Sequence, residues 1–249
     1  MNRAPVIFLG VFASLSFSFL GLVLSNQISY GSFTTHVDEN EGTAFPRSLP
    51  GAAAQGKRVY QDLGCVSCHT QQVRREGFGY DIGENSRGWG ERQSVARDYL
   101  REERVLLGSQ RVGPDLRNLA ARSNEDGADF TAGWLYQYLF DPKLVVEDSN
   151  MPRYAFLFRT QPIVGEPSPK ALELPANYAP RAGHEIVPTA RAEALVAYLL
   201  SLKDTYAYPE TQNVYTPPAP AAVPAAADAP ATDAVAVEQP ATPTEEVQP

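Results

Sequence analysis

Cys65-Val66-Ser67-Cys68-His69 (CVSCH) decides how the rest of the chain reads. The pattern is C-x-x-C-H, the attachment signature of a c-type haem. Two intervening residues let one helical turn carry both thiols to the two vinyl groups of a porphyrin. The next residue then lies over the iron, where its imidazole serves as an axial ligand. These are the only two cysteines, so no separate disulfide framework exists. A thioredoxin-like dithiol also uses C-x-x-C, but it belongs to a strand-rich α/β unit, and no strand pattern of any length is evident here. A zinc site needs about four ligands, and the three scattered histidines supply no second pair at zinc spacing. The expectation is one covalent haem c, held by Cys65 and Cys68, with His69 on the iron.

Downstream, the other axial ligand is sought among few residues. Low-spin electron-transfer haems commonly pair His with Met, which raises the reduction potential. Apart from Met1, Met151 is the only methionine, and it lies in Ser149-Asn150-Met151-Pro152, a polar, irregular setting unlike that of a core methionine. The rivals are His36, beside the apolar N-terminal run, and His184, which reads as a surface-loop histidine. Between the two ligands lies Arg111-Val112-Gly113-Pro114-Asp115-Leu116. The Pro114 carbonyl can accept from the His69 imidazole and fix its tautomer; an ordinary Gly-Pro turn fits equally.

Upstream, Val6 to Leu24 are 19 consecutive uncharged, mostly apolar residues. Roughly 20 are needed to cross a bilayer as a helix. A cleaved signal peptide usually has a shorter apolar core, of about 7–15 residues, so an uncleaved anchor is the favoured reading. Arg3 precedes the span and Asp38, Glu39 and Glu41 follow it. The positive-inside rule then leaves the N-terminus in the cytoplasm and exports the rest, which for a bacterial inner membrane means a periplasmic haem domain.

The expected organisation is an N-terminus and anchor over 1–30, a linker over 31–50, a folded domain over 51–203 and a tail over 204–249. Helices are predicted over 51–63, 92–107, 131–140 (stopped by Asp141-Pro142) and 189–202. In the last, Thr189 is a plausible N-cap and Leu195, Tyr198, Leu199 and Leu202 form an apolar stripe. No Lys or Arg follows Lys203, whereas seven acids do, so of the net charge of −8 only about −1 belongs to residues 1–203. A near-neutral body gives no support for nucleic-acid binding. Residues 209–249 hold 9 Pro and 11 Ala, a composition that cannot bury enough surface to offset its ordering entropy, and are expected to be disordered.

The run Gly64 to His69, then Gly113-Pro114-Asp115-Leu116, Met151-Pro152 and a closing helix with Tyr198 resembles class I cytochrome c. The resemblance implies a mainly α fold in which the helix before the motif crosses the last helix at an aromatic contact, here Tyr60 with Tyr198. It also implies an arginine eight residues after the turn proline, near a haem propionate; that position is Arg122, which by itself reads as a surface charge.

The anchor, CHTQQVR, the long insert, LGSQRVGPDL and DPKLVVEDSNMPRYAFL together resemble subunit II of cbb3-type cytochrome c oxidases, the membrane-anchored mono-haem (FixO-type) subunit, over roughly residues 5–203. The resemblance implies an electron relay to a catalytic haem–copper subunit in aerobic respiration, alongside a multi-haem cytochrome c subunit, with a soluble cytochrome c as a further donor. The chain has no copper ligand set or second haem motif, so it is expected to have no catalytic residues and no oxygen chemistry of its own. The alternative is a free-standing, membrane-tethered shuttle cytochrome serving another complex. The insert, roughly 73–110, mixes arginines and acids; it reads as a solvated helix or, on the resemblance, as a contact surface for other oxidase subunits.

Overall fold

The computed structural model describes residues 3–123 and 127–211. Its regular structure is mainly helical. Helix α1, Ala4–Tyr30, has a mean hydropathy of 2.3 over its most apolar window, no side chain of that window is buried against the rest of the protein, and it is long enough to cross a bilayer. It contains a π-helical turn at Leu20–Leu24. A two-residue ladder follows, with strand β1 (His36–Val37) antiparallel to β2 (Ala44–Phe45). Helix α2 is Gly51–Asp62, α3 is Ala132–Phe140, strands β3 (Phe158–Pro162) and β4 (His184–Pro188) form a second antiparallel pair, and α4 is Ala190–Leu199.

The core is built where α2 crosses α4. Buried small residues on both helices, Ala53, Gly56, Ala192 and Ala194, let the backbones approach closely. At Gly56 an added Cβ would lie 1.8 Å from the Ala194 carbonyl oxygen and 2.7 Å from Tyr198 Cβ. One turn further on, the Tyr60 and Tyr198 rings meet edge to face with centroids 5.5 Å apart. The aromatic contact expected of the helix crossing is therefore present. Gly56→Ala is expected to pry the helices apart, costing about 1–3 kcal/mol or more, read as a fall in the thermal unfolding midpoint of the haem-loaded protein.

The expected cap at Thr189 forms, and Thr131 caps α3 as well. Thr131 accepts from Trp134 N at 3.2 Å and Thr189 from Ala192 N at 3.4 Å, each satisfying an orphan N–H of a first turn. Helix α3 ends at Phe140, ahead of Asp141-Pro142.

Five expectations are corrected. Strands exist: β3 and β4 pair over five residues each, Phe158 opposite Pro188 through Pro162 opposite His184. His184 is thus a half-buried strand residue, not a loop one. The segment 92–107 is not a helix; only Ala96–Tyr99 forms a 3₁₀ turn. Its backbone is held by side chains instead, with Asp98 Oδ2 accepting from Val95 N at 2.9 Å and Ser94 Oγ accepting from Val73 N at 3.0 Å.

Nor is the insert a solvated charge stripe. Arg92 pairs bidentately with the buried Asp98 at 2.9 and 2.7 Å, and Arg117, just beyond the insert, donates to Glu102 and to the Asp98 carbonyl, both at 2.8 Å. Finally, the tail does not begin at 204. Asp204 pairs with the buried Arg117 and Tyr208 is 1% exposed, because a buried guanidinium is stable only when paired. The remainder of the expected tail, 212–249, lies outside the described residues.

Candidate functional site

The end of α2 delivers the C-x-x-C-H motif. Leu63 caps the helix, and Gly64 takes a left-handed conformation (φ 72°) that reverses the chain out of it, a geometry glycine adopts without steric cost. Cys65–Ser67 then form a single 3₁₀ turn, and the His69 amide donates to the Cys65 carbonyl at 3.0 Å. Both cysteines and the histidine are thereby displayed from one turn, with Cys65 half-buried and Cys68 exposed. Burial pushes the Cys65 thiol up to about 11. A redox-active dithiol needs the opposite shift.

The His69 imidazole is fixed by the 111–116 segment. Gly113 N donates to the Cys68 carbonyl at 3.0 Å and Leu116 N to the Thr70 carbonyl at 2.8 Å, laying the two segments side by side. The His69 Nδ1 to Pro114 oxygen distance is 2.8 Å. A carbonyl only accepts, so Nδ1 carries the hydrogen and Nε2 carries the lone pair. Burial lowers the pKa of the ring below its ordinary value, which favours the neutral form a metal requires. A Cβ added at Gly113 would lie 2.3 Å from His69 Cε1. Gly113→Ala is therefore expected to displace the ring from Pro114 and cost about 1–3 kcal/mol; a lowered urea midpoint accompanied by a changed visible spectrum checks it.

Asp115, fully buried, ties this frame together. It accepts from Thr70 Oγ1 at 2.5 Å, Gln72 N at 2.8 Å and Arg117 N at 2.9 Å. Arg111 donates from Nε to Thr70 Oγ1 at 2.9 Å, from Nη1 to the buried Asp81 at 2.6 Å and from Nη2 to the Gln72 carbonyl at 2.6 Å. Gln71 completes it: its Oε1 accepts from Tyr198 OH at 3.0 Å and its carbonyl from Tyr99 OH at 2.9 Å. So the residues flanking His69 are bonded to the insert and to α4. Gln71, Asp115 and Gly56 carried no role in the sequence reading.

Arg122 is half-buried and donates from Nη2 to the Asp115 carbonyl at 2.6 Å, while its Nε has no hydrogen-bond partner among the described residues. A buried guanidinium with a free donor is a poor end state for a protein alone. It fits an anionic acceptor such as a porphyrin propionate, and this orphan donor is the observation on which a haem suits the residues present.

Met151 is half-buried and packs against the same core cluster as Cys65, Val66 and Tyr154. Its amide donates to Ser149 Oγ at 3.3 Å. Tyr154 packs against that cluster as well, so the methionine segment and the cysteine turn share it. The two rival histidines are engaged elsewhere. His184 Nε2 accepts from Arg181 at 2.9 Å, and His36 packs on the rings of Tyr206 and Tyr208. Among the described residues no three His, Cys, Asp or Glu side chains converge on a metal position, so a zinc donor set is not assembled.

Residues 34–176, more than half of the chain, match the profile of a family described as cytochrome c oxidase, mono-heme subunit/FixO. No curated protein matches the chain.

Proposed function

The chain belongs to the cytochrome c oxidase mono-heme subunit (FixO) family, and from that premise we propose that it is the membrane-anchored c-type cytochrome that relays electrons to the catalytic subunit of a cbb3-type terminal oxidase. The family assigns it to an oxidase complex and to one haem. In this reading Cys65 and Cys68 would hold that haem by thioethers, and His69 and Met151 would supply ligands to its iron. Haem c supplies a one-electron iron couple. The rest of the work falls to this chain: Pro114 orients the imidazole, Arg122 would hold a propionate, and the α2–α4 crossing with Tyr60 and Tyr198 would support the turn that carries the cysteines.

The single observation that supports the reading best is the His69 Nδ1–Pro114 bond of 2.8 Å. It leaves Nε2 as the coordinating nitrogen, as an axial histidine requires. Helix α1 would hold the domain at the inner membrane, with its N-terminus cytoplasmic and the haem periplasmic. The donor would be a multi-haem cytochrome subunit or a soluble cytochrome c, and the acceptor the haem–copper subunit.

Purification from detergent-solubilised membranes tests the assignment. Co-elution with a polytopic haem–copper subunit, together with haem staining of this band after denaturing electrophoresis, is the expected result. A haem-stained chain that elutes alone would favour the free-standing shuttle, and an unstained band would overturn the haem assignment itself.

A further inference from the structure

The segment between α1 and the folded domain, expected from its composition to be a linker, is clamped along its length. Arg97, in the insert, donates from Nη1 to the Thr34 carbonyl at 2.5 Å and stacks over the Phe33 ring at 4.8 Å. The same guanidinium pairs through Nε with Glu210 at 2.5 Å. Its side chain is only 17% exposed, so these are not the loose surface pairs that contribute little.

A second clamp lies further along. The Phe45 ring stacks on Tyr206 with centroids 4.0 Å apart and an interplanar angle of 13°. Arg101 Nε donates to the Pro46 carbonyl at 2.8 Å. Tyr206 is itself held, because its carbonyl accepts from Arg92 Nε at 2.7 Å. The segment after the last helix and the segment before the first domain helix thus cover each other, and the insert grips both.

We infer that residues 33–46 form a rigid strap, with Arg97 as its positioning residue, that fixes the haem domain to its membrane helix. A free coil over 31–50 would let the domain wander with a root-mean-square reach of roughly 25 Å. Only Gly31 and Ser32 separate the last residue of α1 from Phe33, which limits the play to no more than about 11 Å. Electron transfer to a fixed partner gains from such placement, because it presents one face of the site in one orientation. A swinging tether would suit a shuttle.

The inference rests on reading α1 as a membrane anchor. Its test is the distance distribution between nitroxide labels at Ile28→Cys and Arg159→Cys in the full haem-loaded chain, measured by pulsed electron paramagnetic resonance in nanodiscs and in detergent. The strap predicts one narrow distribution, broadened several-fold by Arg97→Ala or by Tyr206→Ala while the haem spectrum stays unchanged. Tyr206→Ala removes the Phe45 stacking without touching Arg97, so the test survives misfolding of either variant. A broad distribution in the parent chain would overturn the strap, as would a narrow one that neither folded variant broadens. Release of the chain from membranes by a carbonate wash would overturn the anchor reading alone, leaving the detergent measurement to decide the strap.

Discussion

Replacing both Cys65 and Cys68 with serine is expected to abolish haem staining on denaturing gels completely and to leave a chain that no longer unfolds as a cooperative unit. The site explains both losses. Cys65 is half-buried and, like Met151 and Tyr154, packs against the buried core cluster, so the covalent group would lie against the core of the domain. Without it, the half-buried Arg122 keeps an Nε with no partner among the described residues, and His69 would have nothing to coordinate. Unsatisfied buried polar groups each cost on the order of 1–3 kcal/mol, a large share of the few kcal/mol by which a domain is stable. Single replacements should each retain one thioether and a weakened stain. Full staining of the double variant would refute covalent attachment at these residues.

Met151→His should have the second largest effect, and on a different quantity. An imidazole there could replace the sulfur as a ligand, so the haem should be retained and the fold should survive. Sulfur ligation holds the potential high, and its loss should lower the midpoint by a sizeable part of the roughly 0.8 V over which axial ligands set haem potentials. The weak near-infrared band of sulfur-ligated ferric haem should vanish. Met151 owes its exposure to substitution to its setting: Ser149 Oγ accepts from its amide at 3.3 Å and also contacts Tyr138 OH at 3.2 Å, so the loop is held from below and a new side chain there need not unravel it. An unchanged potential would remove Met151 from the iron.

The helices that frame the site were readable because each carries local signals. Thr189 is a cap whose hydroxyl bonds the first turn, and Pro142 forbids continuation of α3. The motif residues are equally local, since Cys65, Cys68 and His69 sit in one turn. What the chain hides is long-range. The β3–β4 pair buries few side chains of β3, with Arg159 and Thr160 exposed, so it lacks the alternation that marks a strand.

The insert misleads in a similar way. Val95, Tyr99 and Leu106 mimic a helical stripe, but Arg92 and Asp98 hold the backbone by contacts that reach Tyr206, more than a hundred residues away. No local pattern encodes that. Asp204, Tyr206 and Tyr208 were lost in an acidic, proline-rich stretch whose composition is uniform while its packing is not. At the site itself, Gly113 and Pro114 could be quoted from the sequence, but only the 2.8 Å contact with His69 distinguishes the carbonyl acceptor from a plain turn.

The central claim is that electrons bound for oxygen pass through the haem held by this chain. Oxygen consumption by the purified oxidase complex carrying Met151→His, supplied with reduced soluble cytochrome c, tests it most directly. The complex should assemble with its haem in place but turn over far more slowly than the parent, because the relay has been shifted in potential. Parental turnover from a fully assembled complex whose Met151→His haem has a demonstrably lowered potential would contradict it.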